Sequence, residues 1–127
     1  LADGLEPVTS MSMMQQMIEW VQSIEVRETI DEYIVDIVEA TRPGRLSAVE
    51  LGASPRGAIG IRRAAQVRAA SEGRNFVDVQ EVKQVAAPVL AHRLILTAEA
   101  ESKGITAEDL VEEVVAEVPL PSAIQMR

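Results

Sequence analysis

In residues 28–41, ETIDEYIVDIVEAT, the positions Ile30, Tyr33, Ile34, Ile37, Val38 and Thr41 keep a three-four spacing, while Asp31, Glu32, Asp36 and Glu39 mostly face away. This is the pattern of a helix buried along one side, and Pro43-Gly44 ends it. Residues 9–22, TSMSMMQQMIEWVQ, read as an earlier helix with Thr9 or Ser10 as its cap and Met14, Met17, Ile18 and Val21 on one face. Such a stripe is expected to be core, with an adaptable Met-rich partner surface as the alternative. Residues 43–53 read as a loop with a short extended piece from Ala48 to Leu51.

A third helix is predicted from Ser54 to about Glu72, closed by Gly73. Its sequence is rich in Ala and Gly, which lets neighbouring backbones approach but weakens intrinsic helicity by about 1 kcal/mol per Gly. Asp78 with Glu81 has the spacing of a capping box for residues 79–86. Pro88 is expected to break or restart that helix. Leu94-Ile95-Leu96 reads as a brief strand or a buried connector, and Ala98–Lys103 as a small helix capped by Thr97 and ended by Gly104. Thr106 caps residues 107–117, with Leu110, Val111, Val114, Val115 and Val118 inward and five acids outward. The expected fold class is all-α, a small helical bundle with room for one very short β pairing.

Composition narrows the chemistry. The 127 residues include one Trp, one Tyr and one Phe, so the core must be aliphatic, and there is no Cys. Disulfides and thiolate catalysis are therefore excluded, and the single His92 cannot anchor a His-based metal cluster. No metal site is expected. No apolar run approaches the ~20 residues of a membrane span, and the N-terminus lacks a signal-peptide layout, so the chain is expected to be cytoplasmic.

The net charge of −8 is unevenly spread: residues 42–74 hold seven Arg against two acids, while residues 1–41 and 75–127 hold nine acids each. Most of the arginines in this basic island are expected to pair with the acidic flanking helices. The net charge and the scarcity of aromatics argue against nucleic acid as a partner.

Within the island lies LGASPRG, residues 51–57. Ser54 suits an N-cap and Pro55 a first helical position, which puts Arg56 where free N–H groups and the positive end of the helix dipole already concentrate. A cation there is locally unfavourable, and a shared anion is one remedy. Arg63 lies two turns on, with Gly60 between them expected to leave open space, so a narrow basic groove is plausible. Gly52 and Gly57 have the spacing of half a phosphate loop, but Ala58 and Ile59 stand where Lys and Ser/Thr are required. No catalytic triad can be assembled, and carboxylate pairs such as Glu112 with Glu113 read as solvated helix faces. His92, beside apolar neighbours, is expected to be a satisfied structural residue.

LGASPRG with the Arg-rich helix behind it, GRNFVDVQEVKQVAAPVLAHRLIL, TAEAESKGITAEDLVEEVVAEVPLP and DEYIVDIVEATR together resemble the C-terminal helical lid of MoxR-type AAA+ ATPases, over roughly residues 5–121. The resemblance implies a linker over 1–8 (with LEPV following an ATP-binding core), a helical lid over 9–118 and a frayed tail over 119–127. It implies that Arg56 is the sensor 2 arginine, reaching the γ-phosphate of ATP, with Ser54 and Gly57 shaping the same turn. Arg63 matches no family nucleotide residue, so its assignment to the site rests on spacing alone.

The P-loop, magnesium carboxylate and arginine finger of such an ATPase are not among these residues, and Leu1 is not an initiator Met. The chain is therefore expected to be part of a longer ATPase, with ATP and Mg held mainly by a core it does not contain. The implied partners are that core, neighbouring subunits of a hexameric ring, and a client protein, often one with a von Willebrand A domain. Implied function is coupling of ATP hydrolysis to chaperone-like remodelling or maturation of such clients. Two other readings compete with it: a helical binding module acting through the basic island, and an oligomerisation domain using Met13, Met14, Met17 and Trp20.

Overall fold

A computed structural model describes residues 10–121. The expected linker over 1–8, Thr9 as an alternative cap and the end of the expected tail lie outside the described residues. The elements in chain order are α1 (Met11–Ser23), α2 (Glu28–Ala40), β1 (Val49–Leu51), α3 (Pro55–Ser71), α4 (Val79–Leu90), a 3-10 turn at Ala91–Arg93, β2 (Ile95–Leu96), α5 (Ala98–Ser102) and α6 (Ala107–Glu117). The protein is a small helical bundle with one short antiparallel pairing, Val49 opposite Leu96 and Leu51 opposite Ile95.

The capping residues do as their chemistry dictates. Ser10, Thr97 and Thr106 each accept a hydrogen bond from the N–H three residues on, at 3.1 Å in each case. At α4 the Glu81 carboxylate returns to the Asp78 N–H, completing the capping box. Gly73 and Gly104 end α3 and α5 at φ of +76° and +78°, the left-handed conformation that costs glycine little.

The core lies where α2, α3, α4 and α6 meet. Tyr33, Ile37, Ile61, Ala65, Ala69, Val82, Ala86, Leu90 and Val111 are fully buried there. Small residues along α3 let it pack closely and extensively on α4, which in turn packs on α6. All six apolar-face positions of α2, including Thr41, are buried as their spacing requires. Leu120 still packs against this core.

Two expectations fail. The stripe on α1 is not core: none of its residues is buried, and Met14, Met17 and Ile18 stay 46%, 57% and 48% exposed. The helix leans on α3 by one edge, and no described element covers the rest. Pro88 does not break α4, which continues to Leu90. The missing amide falls in the last turn, so one hydrogen bond to the exposed Gln84 is lost before the chain tightens into the 3-10 turn.

Candidate functional site

LGASPRG is anchored to the end of α2. The Thr41 hydroxyl donates to the Val38 carbonyl (2.6 Å) and accepts from the Ala53 N–H (3.1 Å), and all three groups are buried. One residue earlier, a methyl group on Gly52 would stand 2.7 Å from the Thr41 carbonyl oxygen, so only glycine lets the two backbones approach this closely. Ser54 then takes an extended N-cap conformation (φ −83°, ψ 172°), but its hydroxyl makes no capping hydrogen bond. The expected side-chain cap is absent, and Ser54 is exposed, as is Arg56 two residues on.

Pro55 opens α3, and Gly57 seats its first turn on α4. A methyl group at Gly57 would meet Leu90 Cδ2 at 2.9 Å and Ala53 Cβ at 3.3 Å, so the turn is held on both sides. Arg56, between these fixed points, is exposed and makes no ion pair among the described residues. A cation on the first turn of a helix whose cap hydroxyl is unused is a combination that favours a nearby anion.

The expected groove from Arg56 to Arg63 does not form. Gly60 does not leave open space: a methyl group there would lie 3.0 Å from Val89 Cγ1 and 3.7 Å from Arg93 Nη2. Arg63 instead borders an apolar cleft of about 380 Å³ with Met17, Ile18, Val21 and Val67, on the α1 side. The two halves of one helical face meet different elements, so Ser54, Arg56 and Gly57 are brought together and Arg63 is not.

Of the seven arginines in the basic island, three are paired. Arg62 meets Asp31 at 2.9 Å, Arg68 meets Glu72 at 3.7 Å, and Arg74 bridges Glu72 and the buried Glu81. Arg42, Arg45, Arg56 and Arg63 have no such partner among the described residues. The expectation that most would pair is corrected, because Asp31 is the acid of α2 that turns toward α3 while Glu32 and Asp36 face outward. His92 is exposed beside a surface cleft with Lys83, Pro88, Glu108 and Glu112, which does not fit the satisfied structural residue expected.

Two residues of this region went unassigned in the sequence. Thr41 carried a signal, a hydroxyl on an otherwise apolar stripe. Arg93 stood out only as a polar residue beside His92 in an apolar stretch and could not be placed, because its neighbours Gly57 and Gly60 come from more than thirty positions away in the chain.

The AAA lid domain family matches residues 46–114. Chaperone MoxR1 of Mycobacterium tuberculosis is 40% identical over 76% of this chain and 27% of its own length. Protein MoxR of Methylorubrum extorquens is 35% identical over 78% of the chain and 32% of its length. The uncharacterised YeaC of Bacillus subtilis is 38% identical over 94% of the chain and 37% of its length. A crystal structure from Cytophaga hutchinsonii, described as that of an ATPase, superposes with a TM-score of 0.79 at 30% identity, covering 84% of this chain and 34% of the other. The chain belongs to the AAA lid domain family, as a lid of the MoxR type. It spans about a third of the length of these relatives.

Proposed function

We propose that this domain is the nucleotide-responsive lid of a MoxR-type AAA+ ATPase and that Arg56 is its sensor 2 residue. The observation that carries the reading is the state of Arg56: exposed, unpaired among the described residues, and mounted on a turn fixed by Thr41 and Leu90. The donor set suits a phosphate: a guanidinium, an unused Ser54 hydroxyl and the positive end of α3. Bound Mg-ATP supplies the phosphoryl group that is transferred. Arg56 stabilises charge on that group and ties lid position to nucleotide state, while Ser54 and Gly57 keep the turn open to it. Carboxylates for magnesium and the phosphate-cradling loop belong to the ATP-binding core of the parent ATPase. In that parent, lid movement within a ring of subunits drives remodelling or maturation of client proteins, with von Willebrand A domain proteins as the clients to test first.

In the full-length ATPase, Arg56→Ala is expected to lower ATP turnover about tenfold or more with an unchanged melting temperature. Turnover equal to that of the unaltered protein would remove the sensor assignment. Titrating subunits at fixed ATP tests ring assembly separately.

The exposed α1 stripe favours one second reading, self-association of a stand-alone module through Met13, Met14, Met17 and Trp20. It predicts a concentration-dependent mass of the isolated chain by sedimentation, lost in Met17→Glu.

A further inference from the structure

Arg93 stands at the end of the 3-10 turn that follows α4 and lies over the first two turns of α3. Its Nε donates to the Val89 carbonyl at 3.2 Å, which fixes the root of the guanidinium. Its Cδ is 3.9 Å from where a Gly57 methyl group would be, and its Nη2 is 3.7 Å from the same point on Gly60. Gly60 follows Arg56 by one helical turn, so that point lies on the Arg56 edge of α3, roughly 5–6 Å from Arg56 Cβ. The Arg93 guanidinium therefore lies within van der Waals reach of the Gly60 position, along the edge of α3 that also carries Arg56.

Both guanidinium groups are exposed, and neither forms an ion pair among the described residues. Two cations gathered on one helix edge without a carboxylate repel each other, and their joint placement is stabilised by an anion long enough to touch both. A phosphate chain has that length and charge. The glycines matter here as space: without side chains at residues 57 and 60 the Arg93 side chain can lie close along this edge of α3.

We propose that Arg93 is a second phosphate-contacting cation of this site, holding with Arg56 the phosphate chain of a bound nucleoside triphosphate. The assignment rests on the reading that this end of α3 faces nucleotide. Arg93 is a binding residue in it, and Arg56 the residue that responds to turnover.

The test uses the full-length ATPase with a fluorescent ATP analogue and magnesium. Arg93→Gln, which keeps most of the aliphatic stem, is expected to weaken analogue binding about tenfold and to raise KM for ATP while leaving kcat within about twofold. Arg93→Lys, which keeps the charge, is expected to recover most of the affinity. Arg93→Gln binding as tightly as the unaltered protein overturns the proposal, whatever Arg56→Ala does. Equal losses of affinity in Arg93→Gln and Arg93→Lys, with both melting lower, assign Arg93 to packing and also overturn it. If Arg56→Ala leaves turnover unchanged while Arg93→Gln weakens binding and Arg93→Lys restores it, the Arg93 contact stands and only the sensor assignment falls.

Discussion

The Thr41 hydroxyl accepts a hydrogen bond from the Ala53 N–H at 3.1 Å, twelve residues along the chain, and so fastens the turn that carries Arg56 to the end of α2. Both groups are buried, which makes the bond costly to lose. Thr41→Val keeps the shape and removes the acceptor, leaving a buried amide unpaired. It is expected to lower stability by about 1–3 kcal/mol in urea unfolding, whereas Thr41→Ser, which restores the oxygen, is expected to recover most of that. A Thr41→Val variant as stable as the unaltered protein, with the loss confined to Thr41→Ser, would show that the methyl group, and not the hydroxyl, matters.

Gly52 and Gly44 offer a matched pair a few residues apart. A methyl group on Gly52 meets the Thr41 carbonyl oxygen at 2.7 Å and Arg42 Cα at 3.0 Å, both backbone atoms that cannot rotate away. On Gly44 it meets nothing within 4 Å. Gly52→Ala should therefore cost about 1–3 kcal/mol, while Gly44→Ala stays within about 0.5 kcal/mol of the unaltered protein. In the full-length ATPase, Gly52→Ala is also expected to reduce turnover, because the strain is relieved by moving the Arg56 turn.

What could be read in the chain depended on whether the information was local. Helices α2 and α6 were legible because spacing, cap and stop agree within about a dozen residues, and Thr106 and Thr41 do at their ends what their chemistry allows. The α1 stripe was legible as amphipathic but not as uncovered. Spacing says which face is apolar and is silent on what lies over it. The same limit explains Gly60: a glycine marks room on a helix, but only the packing of α4 reveals that Val89 and Arg93 use it. Arg56 was legible because its oddity lies within one turn. Arg93 was not, since its meaning comes from a contact between α3 and the turn after α4.

Arg74 and Glu81 form the ion pair with the most at stake. Glu81 is fully buried, its carboxylate held by the Arg74 guanidinium and the Asp78 N–H, while Arg74 also reaches Glu72 and lies 5.7 Å from the centre of the Phe76 ring. Arg74→Met leaves a charge in the interior with one amide partner. Because Arg74 is itself a third exposed, water can relieve part of the loss, and the expected cost is about 2–4 kcal/mol. Adding Glu81→Gln to Arg74→Met should recover part of it, since the neutral amide still accepts from Asp78. Losses that simply add in the double variant would rule out the coupling.

Tyr33 sits in the middle of α2 with no exposed surface, and its hydroxyl has no hydrogen-bond partner among the described residues. Burial raises its pKa above the ordinary phenol value of about 10. The folded state therefore holds the proton more tightly than the unfolded chain does. The stability that follows is fully present below the unfolded value and is lost as pH rises through the folded one. Tyr33→Phe removes both the unpaired hydroxyl and this titration. At neutral pH the variant is expected to match the unaltered protein or exceed it by up to about 1 kcal/mol. Above pH ~10 its stability should fall less steeply with pH than that of the unaltered protein. As Tyr33 is the sole tyrosine, the rise of phenolate absorbance reports its titration directly. A normal midpoint in the folded protein, or a loss of more than about 1 kcal/mol in Tyr33→Phe at neutral pH, would show that the hydroxyl is solvated or bonded in solution.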